Sequence, residues 1–200
     1  MAGLSQVRKA ASGCFTEPIV RVLARTPITP DSLTWFGFSL SVGAAVLIAT
    51  GHLIIAGGIV LFGGFFDMLD GALARRTKRV TRFGSILDST LDRLSEGALL
   101  LGILVLFSGE ESTIGALLVG IVLITSMLVS YVRAKAESLG IECLVGVFTR
   151  PERVIVLALG LLINQLEIAL WIIAGFSFIT VCQRLFYVWR QTKNKKAEEE

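Results

Sequence analysis

Six apolar runs follow one another along this chain, some with almost nothing between them. They cover about Leu33–Thr50, Leu53–Ala74, Gly84–Phe107, Thr113–Val132, Phe148–Ile163 and Leu166–Val188. Roughly 20 residues of helix cross the hydrocarbon core of a bilayer, where no backbone polar group can be left unpaired. Runs of this kind, in a chain that is 54% hydrophobic with mean hydropathy +0.74, exclude a soluble domain. The pattern predicts an all-α integral membrane protein with six transmembrane helices. The fifth run is short and opens with Arg150 and Arg153. Five spans with that segment re-entrant is therefore the other arrangement to consider.

Charge sets the orientation. The connections Gly51-His52, Ser108–Ser112 and Asn164-Gln165 contain no Lys or Arg. All 19 basic residues fall in or next to the N-terminal segment, the other two connections and the C-terminal end. By the positive-inside rule both termini are cytoplasmic in a multi-pass cell-membrane protein. The net charge of +3 is small but polarised, which favours anionic lipid headgroups. No cleavable signal peptide is expected, because the first long apolar run begins only at Leu33. Cys14, Cys143 and Cys182 are odd in number and scattered, so free thiols are expected. No nucleic-acid module is visible.

Residues 1–28 read as a juxtamembrane segment and linker. Leu4, Val7, Ala11, Phe15, Ile19 and Leu23 recur at three- and four-residue steps, with Arg8, Lys9, Arg21 and Arg25 elsewhere. That spacing predicts an interfacial amphipathic helix, bent or broken near Pro18. Residues 29–190 form the membrane domain, and Asp31 or Ser32 is positioned to cap its first span. Residues 191–200 read as a charged cytoplasmic tail. His52 is the only histidine and lies in a short loop far from the acidic residues described next. Gly57, Gly58, Gly63 and Gly64 predict close helix packing.

Four of the five aspartates lie between positions 67 and 92, each flanked by apolar sequence. Asp67 and Asp70 are spaced i, i+3; Asp88 and Asp92 are spaced i, i+4, so each pair shares one helix face. A basic turn from Arg75 to Arg82 joins the two helices. A single intramembrane aspartate is readily explained as a proton relay or a packing hydrogen bonder; four together are not. Their repulsion and desolvation are costly unless cations join them. Hard carboxylate oxygens point to Mg²⁺, with Mn²⁺ or Ca²⁺ as alternatives. Two such ions beside a basic turn suit phosphoryl chemistry.

The full pattern is D-x2-D-G-x2-A-R-x8-G-x3-D-x3-D, from Asp67 through Gly71, Ala74, Arg75 and Gly84 to Asp92. Eight fixed residues at fixed spacing arise by chance at roughly 10⁻¹⁰ per start. The pattern resembles the signature of the CDP-alcohol phosphatidyltransferases and matches every fixed position. Further stretches resemble the phosphatidylinositol phosphate synthases within that family. These are Thr81-Arg82-Phe83-Gly84, Ser130-Tyr131, Arg133-Ala134-Lys135-Ala136-Glu137, Arg150-Pro151-Glu152-Arg153 and Gln183-Arg184-Leu185. The order of Arg133 and Lys135 is reversed relative to many members.

The resemblance implies a donor, CDP-diacylglycerol, and an acceptor, a 1D-myo-inositol phosphate, with phosphatidylinositol phosphate and CMP as products. It implies a homodimer. Asp67, Asp70, Asp88 and Asp92 are the expected ligands of two Mg²⁺ ions, with Asp92 also the expected general base. Thr29, Pro30, Asp31, Ser32, Gly71, Arg75 and Thr81 are expected to bind the CDP-lipid. Arg133, Lys135, Arg150, Arg153 and Arg184 are expected to bind the acceptor phosphate, since Arg grips phosphate bidentately. Arg93 and Glu96, three residues apart, are expected to pair structurally. Two rivals stand beside this reading: a phosphatidylglycerophosphate synthase using glycerol 3-phosphate, and a divalent-cation transporter using the aspartates for transit.

Overall fold

The structure is a computed structural model. It describes residues 17, 19–24, 26–27, 29–77 and 81–199, with side chains described through residue 193. Most of the expected amphipathic helix, and the centre of the basic turn at 78–80, lie outside these residues. Residues 19–23 are helical, and a weak ion pair of 3.3 Å ties Glu17 to Arg76.

Among the described residues all regular structure is helical. Six helices follow the apolar runs: α1 Pro30–Ala49, α2 Leu53–Thr77, α3 Arg82–Gly109, α4 Thr113–Ser138, α5 Arg150–Leu162 and α6 Leu166–Glu199. Four are long and apolar enough to cross a membrane: α1, α2, α4 and the Leu166–Lys193 part of α6. The other two fall short of that on their own for physical reasons. The first half of α3 carries Asp88, Asp92, Arg93 and Glu96. The 13 residues of α5 span only ~20 Å at 1.5 Å per residue.

Caps define where helices begin. Thr29, in extended conformation, caps α1 by accepting from the Ser32 amide at 3.2 Å, and Pro30 opens the first turn. The cap is therefore Thr29 rather than Asp31 or Ser32. Thr81 caps α3 by accepting from the Gly84 amide at 2.9 Å. At α5 the Thr149 amide donates to Glu152 Oε2 at 2.8 Å.

The principal helix contacts close a ring in the order α1, α2, α5, α6, α4, α3 and back to α1. The motif helices α2 and α3 each pack chiefly on α1 rather than on one another. A shared core of Ala44, Ile48, Val60, Leu100, Ile103 and Leu170 fills the ring. Large apolar side chains such as Trp35, Ile54, Phe62, Leu101, Ile124 and Trp171 face outward. Exposed apolar surface on this scale needs a lipid or protein environment. Of the four glycines expected to pack closely, Gly57 does: a Cβ there would stand 2.9 Å from the Leu162 side chain and 3.1 Å from the Ala158 carbonyl. Gly58 faces open space, because its side of α2 points away from α5.

Candidate active site

Two helices bring in the aspartates and a third joins them. Asp67 and Asp70 lie towards the C-terminal end of α2, and Asp88 and Asp92 in the first half of α3. They sit within electrostatic reach of one another. Asp70 is only 4% exposed and accepts a hydrogen bond from Thr34 Oγ1 on α1 at 2.9 Å. Gly37, one turn later on α1, leaves room for Asp67; a Cβ there would lie 3.1 Å from Asp67 Oδ1. From α5, Arg150 Nη1 reaches Asp67 Oδ2 and Asp92 Oδ1, each at 2.7 Å. One cationic group thus bridges carboxylates of α2 and α3. Among the described residues no three His, Cys, Asp or Glu side chains form a closed metal-binding group.

A cavity of about 360 Å³ opens beside Asp92. Arg93, Arg133, Arg150, Arg153 and Arg184 contribute to its wall. Four of the five basic residues expected to hold a phosphate therefore converge. Lys135 is not among the lining residues: it is exposed on the last turn of α4, two positions beyond Arg133 and so on another helix face.

These arginines already have partners. Arg153 is gripped by Glu96, with Nε to Oε1 at 2.6 Å and Nη2 to Oε2 at 2.9 Å. Arg133 pairs with Glu137 at 2.8 Å. Arg184 donates from Nε to the Val145 carbonyl at 2.9 Å and from Nη1 to the Val129 carbonyl. The expected Arg93–Glu96 pair is not formed. Arg93 donates instead to the Ser89 carbonyl one turn back, and Glu96 turns inward to α5, where a fully buried guanidinium holds it more strongly than a part-exposed neighbour could.

The residues expected to hold the CDP-lipid gather at the same end. A Cβ on Gly84 would lie 3.2 Å from Asp31 Oδ1, so the N-termini of α1 and α3 meet there. Thr29, Pro30, Asp31, Ser32 and Thr81 surround that junction, and helix N-termini suit anionic phosphates. Arg75 folds back along Gly71, with Nη1 3.4 Å from the position a Gly71 Cβ would take. His52 lies in the exposed α1–α2 turn, near Thr50, at the other end of α2.

Two participants were not evident from the sequence. Thr34 is one of several hydroxyls on α1, with Ser32, Ser39 and Ser41, and nothing at short range singles it out as the partner of Asp70. Glu96 follows Asp92 by four residues and continues the acidic face of α3. That spacing is the signal that would have assigned it to the site.

A family model described as CDP-alcohol phosphatidyltransferase matches residues 27–184. The archaetidylinositol phosphate synthase of Methanothermobacter thermautotrophicus is 41% identical over 186 residues, covering 90% of this chain and 91% of that protein. The phosphatidylinositol phosphate synthase of Mycobacterium marinum is 39% identical over 193 residues, covering 90% of this chain and 82% of that one. A crystal structure of the Mycobacterium tuberculosis phosphatidylinositol phosphate synthase with CDP-DAG bound superposes with TM-score 0.80 at 38% identity, covering 87% of this chain and 93% of that chain. Another, in complex with manganese and citrate, gives TM-score 0.79 at 37% identity, covering 87% and 88%.

Proposed function

Because this chain belongs to the CDP-alcohol phosphatidyltransferase family, we propose that it moves the phosphatidyl group of CDP-diacylglycerol onto a 1D-myo-inositol phosphate and releases CMP. It is a transferase of phospholipid biosynthesis, which sets aside the cation-transporter reading. The names of its relatives and the CDP-DAG bound to one of them support the two substrates. The observation that carries the acceptor is the cavity beside Asp92 with Arg133, Arg150, Arg153 and Arg184 in its wall. A serine or an unphosphorylated inositol would bring no phosphate to Arg184, which is held by backbone carbonyls and has no acidic partner among the described residues. Glycerol 3-phosphate would bring one too, and it is the second reading.

The carboxylates fit hard divalent cations. They offer only oxygen donors, and the guanidinium lying between Asp67 and Asp92 supports a position where those two can share a positive charge. Asp67, Asp70, Asp88 and Asp92 would hold two ions, Mg²⁺ or Mn²⁺. When bound, the ions supply Lewis-acid neutralisation of the pyrophosphate and the departing CMP. Thr34 keeps Asp70 oriented. The residues at the N-termini of α1 and α3, with Gly71, Arg75 and Thr81, bind the nucleotide end of the donor. The acceptor hydroxyl oxygen attacks the phosphorus bearing the lipid, its bond to the CMP oxygen breaks, and Asp92 takes the hydroxyl proton. No covalent enzyme intermediate is needed.

In the membrane all six helices cross as a ring, with both termini and the site on the cytoplasmic side. The charged half of α3 faces the polar cavity, and neighbours on both sides cover α5. The purified protein, given CDP-diacylglycerol, Mg²⁺ and a panel of acceptors, should release CMP with inositol phosphate far faster than with glycerol 3-phosphate, inositol or serine. Faster release with glycerol 3-phosphate would overturn the acceptor assignment.

A further inference from the structure

We propose that Glu96 is the positioning residue of the acceptor-phosphate site, acting through Arg153; this rests on the cavity being an anion site. Both side chains line the cavity, and both are buried, Arg153 to 2% exposure. Glu96 occupies one whole edge of the guanidinium, Nε and Nη2. Nη1 is left as the only nitrogen of that group without a partner among the described residues, and it too is buried. An uncommitted buried N–H donor is costly, so it marks a place where a ligand oxygen belongs.

The charges in the wall decide what kind of ligand. Arg153 is neutralised by Glu96, Arg133 by Glu137, and Arg150 by Asp67 and Asp92. Arg184 and Arg93 are different, since no acidic side chain lies within 4 Å of either among the described residues: Arg184 is 3% exposed and held by two backbone carbonyls, and Arg93 donates to the Ser89 carbonyl. The seat therefore offers uncompensated positive charge, on Arg184 and Arg93, and one fixed neutralised donor edge, on Arg153. That combination suits a phosphate group, which needs both charge and direction. Without Glu96 the guanidinium of Arg153 would keep its charge but lose its fixed aim, and Arg150 and Arg184 would repel it.

The role predicts a split in the kinetics. Glu96→Gln should raise the KM of the phosphorylated acceptor about tenfold or more, with kcat and the CDP-lipid KM changed less than about threefold. Glu96→Asp keeps the charge but shortens the reach, and should fall between Glu96→Gln and the parent. In an Arg153→Ala background Glu96→Gln should add nothing, because the two residues act as one unit. Binding of CDP-diacylglycerol by the same preparations reports folding. Removing half of a buried ion pair can unfold a protein. If Glu96→Gln does not bind the donor, Glu96→Asp decides: an unchanged acceptor KM overturns the proposal. So does an equal rise in both KM values, or a full additional loss in the Arg153→Ala background. The acceptor used is whichever phosphorylated alcohol supports CMP release by the parent enzyme. Release with glycerol 3-phosphate alone would thus refute the acceptor assignment while leaving the role of Glu96 open to its own test.

Discussion

Arg150 Nη1 stands 2.7 Å from Asp92 Oδ1, and the same nitrogen is 2.7 Å from Asp67 Oδ2. An arginine so placed competes for the charge that a divalent ion would neutralise. Arg150→Gln should therefore bind Mn²⁺ more tightly, by about three- to tenfold, because removing a unit charge a few ångströms away is worth ~1 kcal/mol even when well screened. Electron paramagnetic resonance titration of Mn²⁺ into the substrate-free protein measures this directly. Weaker or equal binding would show that the guanidinium supports the metal position instead of contesting it.

Asp92 faces two ways: it meets Arg150 and it lines the acceptor cavity. A general base must reach the proton it takes, and this aspartate adjoins the space where the acceptor hydroxyl would come. Asp92→Asn keeps the shape and one oxygen donor but cannot hold the proton. The expected result is a fall in kcat of about 10²-fold or more, with CDP-diacylglycerol affinity within about threefold of the parent. Single-turnover CMP release and equilibrium binding of the donor give the two numbers. Full activity would remove Asp92 from the base role.

Thr34 holds Asp70 Oδ2 at 2.9 Å in a nearly sealed environment. Thr34→Val is close in shape but removes the donor, leaving the carboxylate with one fewer partner. The Mg²⁺ concentration giving half-maximal activity should shift by about three- to tenfold, and Thr34→Ser should restore it. No shift in Thr34→Val would mean that Asp70 is held by its metal environment alone.

What could be read from the sequence was what short range determines. Apolar run length foretold the six helices that follow the runs, whereas the α1 cap expected at Asp31 or Ser32 is Thr29, one residue before Pro30, and the Thr81 cap of α3 was not foreseen. The i, i+3 and i, i+4 spacings foretold one face for each aspartate pair, because helical period alone decides that. Partnership across helices was not readable. Glu96 has two arginines to choose from, Arg93 nearby in sequence and Arg153 fifty-seven residues away, and only ring closure brings α5 against α3 through the interior. The basic turn joins α2 to α3 in sequence, yet each packs chiefly on α1, which supplies Thr34, and nothing in the spacing of the aspartates shows that third helix. Lys135 shows the converse: a residue shared with the resembling motif but turned away from the cavity by its position on the helix.

The ring closes where α1 and α3 cross, and two glycines on α3 make that crossing testable. A Cβ on Gly102 would run into the Ala45 carbonyl of α1, whereas a Cβ on Gly97 would meet nothing within 4 Å. Helices in membranes approach closely through small residues, and a clash with backbone cannot be relieved by turning a side chain. Gly102→Ala should thus destabilise by about 1–3 kcal/mol, as overpacked cores do. For a chain of this size that corresponds to a melting temperature lower by about 2–10 °C in detergent. Gly97→Ala has no such obstacle and gains helix propensity, so it should be neutral or slightly stabilising. Thermal melts of the two variants, side by side, test the crossing independently of activity. Equal behaviour of the pair would mean that α1 and α3 are not in backbone contact at Ala45.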